Sequence, residues 1–470
     1  MKKINIKTIY LVAVISIGLI CLAIGSTYAM FTTSDEINNP ITISSNLTSN
    51  DDVMETFEVE VSPSATVTKT INISSGTVSN VNYSVWYIND ISNIDIGVSS
   101  TSYTTTGTIS NANTTVTTKI SIRNNNSTTK TVILGVALSK NSIVLASNMS
   151  LVPQKTLSNP LATYITNLYN NSTKTNVTNN GIKYQYDITN GLMKDADGNI
   201  RYSGLGDSNY VLFNCNTYPN TSCEAWRIIG VFDGKVKLIR NESIGTYPWD
   251  NKDTTTGAEA DYGSNDWTTA RLMKLLNPGY TKESVNNSLY YNSKGGQCYA
   301  GVNNAETPCD FTYTGIKNDT TRNMIADAKW SLLGWLDEGV NVYADQSYKL
   351  ENTSGTVYTG NKTSWTGKIA LPYPSDYAYS AYLGKCTSTL GEYSNCSSWM
   401  KTIFNSKTIA LLTPIVSSSF VFHVAGGCLD LGEPYAALDS EIFPTLYLNT
   451  NVSIKTGSGT LNSPYQLSVG

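Results

Sequence analysis

The chain has 470 residues, enough for two or three domains, and its formal net charge is −4. Charged residues make up 14% of it, against roughly 25% in an average soluble domain. So little basic charge argues against nucleic acid as a partner. The sole histidine, His423, excludes every metal site that needs two imidazole ligands. Tyrosine is abundant, with 30 residues beside 9 phenylalanines, a bias typical of extracellular β-proteins and contact surfaces.

The first 29 residues have the pattern of an export signal. A lysine-rich start precedes an apolar run, Ile9 to Ile24, and Thr27-Tyr28-Ala29 offers small residues for a signal peptidase. We expect cleavage after Ala29. The alternative is an uncleaved N-terminal anchor, because a helix over residues 9–28 would be about 30 Å long and would match the hydrocarbon thickness of a membrane. In both cases the remainder is predicted to be extracellular or at the cell surface, with membrane contact only through residues 9–28.

Residues 30–50 are predicted to be a linker, and residues 51–153 a β-sandwich domain. Apolar and polar side chains alternate in the latter as in strands with one buried face. Turn-forming clusters separate these strands at regular intervals, which predicts an immunoglobulin-like β-sandwich without a disulfide. Trp86 is expected to fill the core, and we find no chemistry in this domain. The predicted strands are Phe57 to Val61, Val67 to Ile73, Tyr83 to Ile88, Val116 to Ile122 and Val132 to Leu138.

Residues 154–181 predict a short helix followed by a linker. Asn159-Pro160 provides a capping residue and a proline at the first helical position. Leu161, Ile165 and Leu168 then form one apolar stripe. Residues 170–181 are polar and low in complexity, which favours a linker or a loose loop.

From residue 182 to 470 the sequence predicts a mixed α+β domain, so the whole chain is expected to be mostly β with an α+β C-terminal part. Trp226 to Ile239 predicts a hairpin around Asp233-Gly234. Helices are predicted from Trp267 to Asn277 and from Thr321 to Leu333. Further strands are predicted at Lys183 to Ile188, Ile200 to Ser203, Asn209 to Asn214, Phe420 to Val424 and Thr445 to Leu448.

Seven of the eight cysteines follow the export segment, and all seven lie in the C-terminal part. Six form close pairs flanked by turn residues, which suits local disulfides that pin surface loops, although six cysteines allow fifteen pairings. There is no Cys-x-x-Cys, so zinc and thioredoxin-like chemistry are disfavoured. Cys428 is left over and is expected to be free and buried. The close pairs are Cys215/Cys223, Cys298/Cys309 and Cys386/Cys396.

Several sequence blocks in order carry a family resemblance that covers residues 181–470. These blocks are IRYSG from Ile200, NYVLFN from Asn209, CEAWRIIGVFDGKVKLIR from Cys223 to Arg240, Ser375-Asp376-Tyr377, and Phe443 to Leu467. They resemble a C-terminal domain of secreted proteins from low-GC Gram-positive bacteria, similar in pattern to the C-type lectin-like and formylglycine-generating-enzyme-like group. The resemblance implies short antiparallel strands, two helices and recognition by disulfide-pinned loops, and it fixes no ligand. Gly25 to Glu36 is similar to the export segments of TasA and camelysin-type matrix proteins.

The candidate ligand surface is an aromatic and hydroxyl-rich run with an adjacent cysteine loop. Such side chains are typical of sugar-stacking and protein-contact surfaces. Core packing is the alternative for every second member, since we expect the run to be a strand whose successive residues face opposite ways. The predicted contact residues are Tyr373, Tyr377, Tyr379, Tyr382, Tyr393 and Trp399.

Three further motifs are weaker candidates for a functional site. His423 and Cys428 could pair as base and thiol, but an extended strand would put them on opposite faces unless Gly426-Gly427 folds the chain back. Asp195 to Asn199 is similar to the start of a calcium loop without its later ligands, so a hairpin turn is favoured. Glu433-Pro434-Tyr435 is similar to a lectin calcium motif, but tyrosine replaces the ligand amide.

These observations predict an exported, adhesin-like binding protein, with no enzymatic activity, no cofactor and no metal. The sandwich would act as a spacer, and the C-terminal domain would bind an extracellular glycan or protein ligand. The alternative is a fibre or matrix subunit that assembles through the β-sandwich. An enzyme is the third possibility.

Overall fold

The computed structural model describes two compact units, Met1–Leu157 and Ser158–Gly470. The described residues are mostly β-sheet. The predicted export segment, residues 1–29, lies outside them, and no helix within them is long and apolar enough to cross a membrane. The described ranges are 41–44, 52–62, 66–99, 102–155 except 125 and 127, 160–204, 207–218, 222–251, 262–299, 306–336, 340–430 except 406, and 435–469.

Two sheets form the N-terminal unit, and their inward faces share one hydrophobic core. One sheet has the order β1-β3-β7-β5, and the other has the order β2-β8-β4-β6 with β9 also paired to β4. The five predicted strands are confirmed, because they coincide with β2, β3, β4, β7 and β8. The strands are β1 (Ile41–Ser44), β2 (Val53–Val61), β3 (Thr66–Ser74), β4 (Val81–Ile88), β5 (Ile94–Val98), β6 (Thr106–Ile109), β7 (Thr115–Asn124), β8 (Lys130–Ser139) and β9 (Met149–Leu151).

Two features of this unit differ from the sequence-based expectation. β1 lies inside the predicted linker and pairs parallel with β3, because Ile43 contributes a buried side chain to the core. Trp86 is fully buried as predicted, but it lies on the face of β4 opposite the core residues Val81 and Val85. Its indole packs on Gly135, where an added Cβ would lie only 2.2 Å from the ring.

An eleven-stranded sheet is the centre of the C-terminal unit within its described residues. Its main path is β10-β11-β12-β13-β15-β14-β29-β28, and β16, β27 and β22 extend it from β15. The strands are β10 (Thr175–Asn179), β11 (Ile182–Asp187), β12 (Leu192–Lys194), β13 (Ile200–Tyr202), β14 (Tyr210–Phe213), β15 (Glu224–Phe232), β16 (Lys235–Arg240), β22 (Ile369–Ala370), β27 (Thr445–Tyr447), β28 (Val452–Thr456) and β29 (Tyr465–Val469).

Smaller elements surround this sheet. A second sheet has the order β17-β26-β23-β24-β25, and two smaller antiparallel sheets pair β18 with β19 and β20 with β21. The strands are β17 (Thr246–Pro248), β18 (Gly295–Tyr299), β19 (Glu306–Asp310), β20 (Ala328–Ser331), β21 (Ser364–Gly367), β23 (Ile409–Pro414), β24 (Val421–Ala425), β25 (Cys428–Asp430) and β26 (Asp439–Glu441). The α-helices are α1 (Leu161–Asn171), α2 (Arg271–Leu276), α3 (Leu289–Asn292), α4 (Asp319–Met324), α5 (Ala344–Lys349), α6 (Pro374–Tyr379) and α7 (Trp399–Phe404). A π-helical turn, Leu350–Ser354, continues α5, and a 3₁₀ segment occupies Leu390–Asn395.

Alternate residues of the large sheet enter two different cores. Trp226 and Ile228 of β15 pack with α1 and α2, whereas Ile229 of the same strand packs with α6 and α7. The predicted hairpin is confirmed, since Asp233 and Gly234 both have positive φ and join β15 to β16. Helix α1 is confirmed and belongs to this unit, but β10 occupies part of the predicted linker.

Both predicted helices of the C-terminal domain are shorter than expected. Turns occupy residues 267–269, so α2 begins only at Arg271. The helix predicted over residues 321–333 ends at Met324, and β20 follows it. The tertiary structure explains this, because the chain pairs with β21 there and Ile325 bridges to Leu448.

Candidate functional site

The aromatic run predicted as a binding strand is a buried helix. Tyr373 precedes α6, Pro374 occupies its first turn, and the Asp376 carboxylate accepts a hydrogen bond from the Tyr373 N–H at 3.0 Å. Tyr377 and Tyr379 are at most 1% exposed. The prediction of a strand is therefore wrong, because proline at the first helical position and an acid at the third begin a helix. That signal was present in the sequence.

The other predicted contact residues pack around the same helix. Tyr393 and Trp399 are buried, and Trp399 Nε1 donates to the carbonyl of Tyr202 at 3.0 Å. Tyr373 is 7% exposed, and only Tyr382 is half-buried. These residues provide core packing in this structure rather than a surface for a ligand.

Four charged side chains lie beneath this aromatic layer, and we call them the ionic cluster: Asp195, Arg201, Lys237 and Asp376. Arg201 Nε is 2.6 Å from Asp195, and its Nη1 is 3.3 Å from Asp376, which also binds Lys237. Each side chain is at most 1% exposed. Removal of one partner from such a buried pair costs about 3–5 kcal/mol, so the cluster constrains how α6 joins the sheet.

Aromatic rings complete the surroundings of both cations. The Arg201 guanidinium lies 4.5 Å from the ring centroid of Tyr379 and 4.6 Å from that of Phe232. Lys237 Nζ lies 4.4 Å from the Tyr373 ring centroid. These contacts are cation–π interactions, so two of the predicted ligand-contact tyrosines stabilise buried charges instead.

A fifth ionisable group, Glu351, borders this cluster from the π-helical turn. Its carboxylate accepts from the Ser375 N–H at 2.8 Å and from the Ser375 hydroxyl. Burial raises the pKa of Glu351 to about 8, and the Asp376 carboxylate adds to that shift. Because Glu351 has no exposed surface, a substrate cannot reach it.

The surface candidate is a polar groove of about 360 Å³ at one end of the large sheet. Exposed side chains on three neighbouring strands form most of its lining, and the buried Asp195 completes it. We use the name polar groove for these lining residues: Asn176, Thr178, Lys183, Gln185, Lys194 and Asp195.

The strand register fixes the arrangement of the polar groove. Gln185 of β11 is paired with Asn176 of β10 on one side and with Lys194 of β12 on the other. Thr178 and Lys183 form the next row. Neighbouring strands are about 4.8 Å apart, so the hydrogen-bonding groups form a regular array on a rigid support.

The opposite face of these strands is apolar and contacts the predicted tyrosines. Tyr184 of β11 lies 6.1 Å from Tyr379, and Tyr186 lies 4.9 Å from Tyr382, between ring centroids. Tyr184 and Tyr186 share one core with α6 and α7. The sequence analysis therefore identified tyrosines that pack beneath the strands of the groove, but it did not identify the groove itself. Its signal was the alternation of polar residues from 176 to 185, which we interpreted partly as a linker.

Asp195 joins the groove to the ionic cluster. One of its oxygens accepts from the N–H groups of Asp197 and Asn199 at 3.1 and 2.9 Å, and the other accepts from Arg201. This network closes the turn between β12 and β13, as the favoured hairpin interpretation expected. Among the described residues, no three His, Cys, Asp or Glu side chains are grouped to hold a metal ion.

The His423 and Cys428 pair differs from the expected geometry. Gly426 and Gly427 have positive φ and fold β24 onto β25, so both residues share one face of the hairpin. However, His423 Nδ1 binds the Val421 carbonyl at 3.0 Å, and burial lowers the pKa of His423 to about 4. The ring is a weak base at that pKa. Cys428 is free but half-buried, in contrast to the predicted full burial, and it accepts from the Ser394 N–H.

The lectin-like motif at residues 433–435 lies mostly outside the described residues. Within them, Tyr435 contacts Tyr262 and Phe420, with ring centroids 5.8 and 6.3 Å away.

The three cysteine pairs are disulfides in the structure, as expected from their spacing. All three lie in the C-terminal unit, and their partners are 8, 11 and 10 positions apart. Disulfides persist in oxidising compartments, so they fit an extracellular protein. The bonds join Cys215 to Cys223, Cys298 to Cys309, and Cys386 to Cys396.

The disulfide at Cys309 is confirmed, but its setting differs from the expected surface loop. Cys298 lies on β18 and Cys309 on β19, so the bond crosslinks two paired strands of a hairpin. Cys298 is fully buried, whereas Cys309 is only half-buried and packs at the border of the core that contains α1 and α2. The Cys309 Sγ lies 3.7 Å from the Gly296 carbonyl. A disulfide sulfur has no proton to donate, so this approach is a packing contact rather than a hydrogen bond.

Comparison with known proteins identified no relative of this chain. No known protein family, no curated protein and no solved structure matches the chain.

Proposed function

We propose that this chain is an exported, non-enzymatic binding protein of the adhesin type. In this proposal the C-terminal unit is C-type lectin-like and binds an extracellular glycan or protein ligand. The N-terminal unit is an immunoglobulin-like spacer, and the ligand binds in the polar groove.

The polar groove carries the proposal. Its volume of about 360 Å³ falls within the usual range of ligand sites, about 300–1,000 Å³. Amide and hydroxyl groups of Asn176, Thr178 and Gln185 offer donors and acceptors together. Because the strands below them are held by the tyrosine layer and the ionic cluster, little ordering of the site is required on binding.

The location of the groups with shifted pKa values supports a binding function rather than a catalytic one. Catalytic acids and bases need shifted pKa values together with access to a substrate. Glu351 and His423 have strongly shifted pKa values, but both are buried and neither lines the groove.

Ligand binding by the groove is tested with the chain that lacks residues 1–29. We expect it to bind members of a glycan array or immobilised extracellular-matrix proteins, and Asn176→Ala and Gln185→Ala to weaken that binding by about 1 kcal/mol each. Gln297→Ala is the matched control, since Gln297 is an exposed glutamine on β18.

A core variant separates binding from stability. Tyr377→Ala should lower the melting temperature, because Tyr377 is buried and donates to the Gly427 carbonyl at 2.8 Å. Its folded fraction should keep full affinity. Unchanged affinity in both groove variants would contradict the proposed site, and absence of both glycan and protein binding would contradict the proposed function.

A further inference from the structure

We infer that the ligand of the polar groove is an acidic oligosaccharide, one that carries carboxylate or sulfate groups. This inference rests on the proposed function and narrows it. It depends on the charge, the polarity and the spacing of the residues that line the groove.

The groove has an excess of positive charge although the whole chain is acidic. Lys183 and Lys194 are exposed on the same face. Among the residues that the structure describes, neither lysine forms a salt bridge. The Asp195 carboxylate does not neutralise them, because Arg201 and two backbone N–H groups already bind it. An anionic ligand would therefore meet two ammonium groups that no carboxylate of the lining pairs with.

The lining of the groove argues against a protein ligand. Protein interfaces depend on aromatic or apolar anchors that fill pockets at their centre. All six lining residues are polar or charged, and the aromatic side chains of the same strands, Tyr184 and Tyr186, point into the core. A peptide side chain would find no apolar pocket here.

The spacing of the polar groups favours a chain of hydroxyls. Asn176, Gln185 and Lys194 form one row across three strands, with Thr178 and Lys183 in the next. Each amide presents both donors and an acceptor, as adjacent hydroxyl groups of a sugar ring require. The lysines lie in different rows, so acidic groups on successive or alternate sugar residues could each meet one ammonium.

The test uses the chain without residues 1–29 on an array of neutral, uronate-containing, sialylated and sulfated oligosaccharides, with poly-glutamate as the acidic peptide. We expect acidic oligosaccharides to bind best, and removal or esterification of the acid to weaken binding at least about fivefold. Lys183→Gln and Lys194→Gln should each weaken binding about two- to fivefold, and the double variant about tenfold. Lys329→Gln, on an exposed strand position elsewhere, is the matched control.

The outcomes separate this inference from the proposed function. A preference for neutral oligosaccharides, or lysine variants that bind as tightly as wild type, would contradict the inference that the ligand is acidic. The proposal that the groove binds a ligand would still hold. Tighter binding of poly-glutamate than of the acidic oligosaccharides would contradict the inference that the ligand is an oligosaccharide. If Asn176→Ala and Gln185→Ala have no effect either, the proposed site itself fails.

Discussion

At the scale of single residues, Glu351 makes stability depend on pH. Its pKa is raised from 4.5 to about 8, so the folded state binds a proton that the unfolded state releases between these values. The stability from this group is present at low pH and is lost as pH rises towards 8. We expect wild type to lose up to about 2 kcal/mol relative to Glu351→Gln between pH 6.5 and 8, by chemical denaturation.

His423 makes stability change with pH in the opposite direction to Glu351. Its pKa is lowered from 6.5 to about 4, so stability is lost as pH falls through this range. In wild type the two slopes oppose each other from pH 4.5 to 6.5. The stability of the Glu351→Gln variant should therefore rise with pH over this range. Glu392→Gln is the matched control, because it makes the same substitution at an exposed position. Identical pH profiles for wild type and Glu351→Gln would contradict the assignment.

At the scale of elements, three disulfides close short segments of the described chain, and one cysteine within that part, Cys428, is unpaired. Each closed segment should contribute about 2–3 kcal/mol. We expect peptide mapping under non-reducing conditions to return only the pairs 215–223, 298–309 and 386–396, and Cys386→Ser with Cys396→Ser to destabilise the unit by that amount.

Cys428→Ser is the control for this prediction. Cys428 is unpaired and half-buried, so its replacement should leave the disulfide map unchanged and alter stability by less than about 1 kcal/mol. A crosslink to Cys428, or a bond between two different segments, would contradict the observed pairing.

At the scale of the whole molecule, the two units differ in how they are stabilised. Sheet packing stabilises the N-terminal unit, and all three disulfides lie in the C-terminal unit. We expect two transitions in calorimetry of the chain without residues 1–29, and reductant should lower the temperature of only one. A shift of both transitions, or their fusion into one, would show that the units are not independent in stability.

The sequence by itself determined features that depend on neighbouring residues. Period-two alternation located the strands from Phe57 to Leu138, and Asp233-Gly234 located a hairpin, because the alternation of side chains along a strand and the conformation of a turn are local properties. The cysteine spacing likewise suited the three local disulfides, since short segments keep their partners close. It did not indicate that Cys298 and Cys309 lie on paired strands, because strand pairing is not encoded in cysteine spacing.

Only the tertiary structure decided which aromatic residues are exposed and which polar residues form a site. Tyr377 and Tyr379 are buried because α6 packs against β11 and α7, which are distant from it in sequence. Asn176, Gln185 and Lys194 become neighbours only through strand pairing. Asp195 and Asp376 meet at Arg201 across 181 positions of the chain. Such juxtapositions are absent from local patterns, because burial and charge pairing depend on the whole fold.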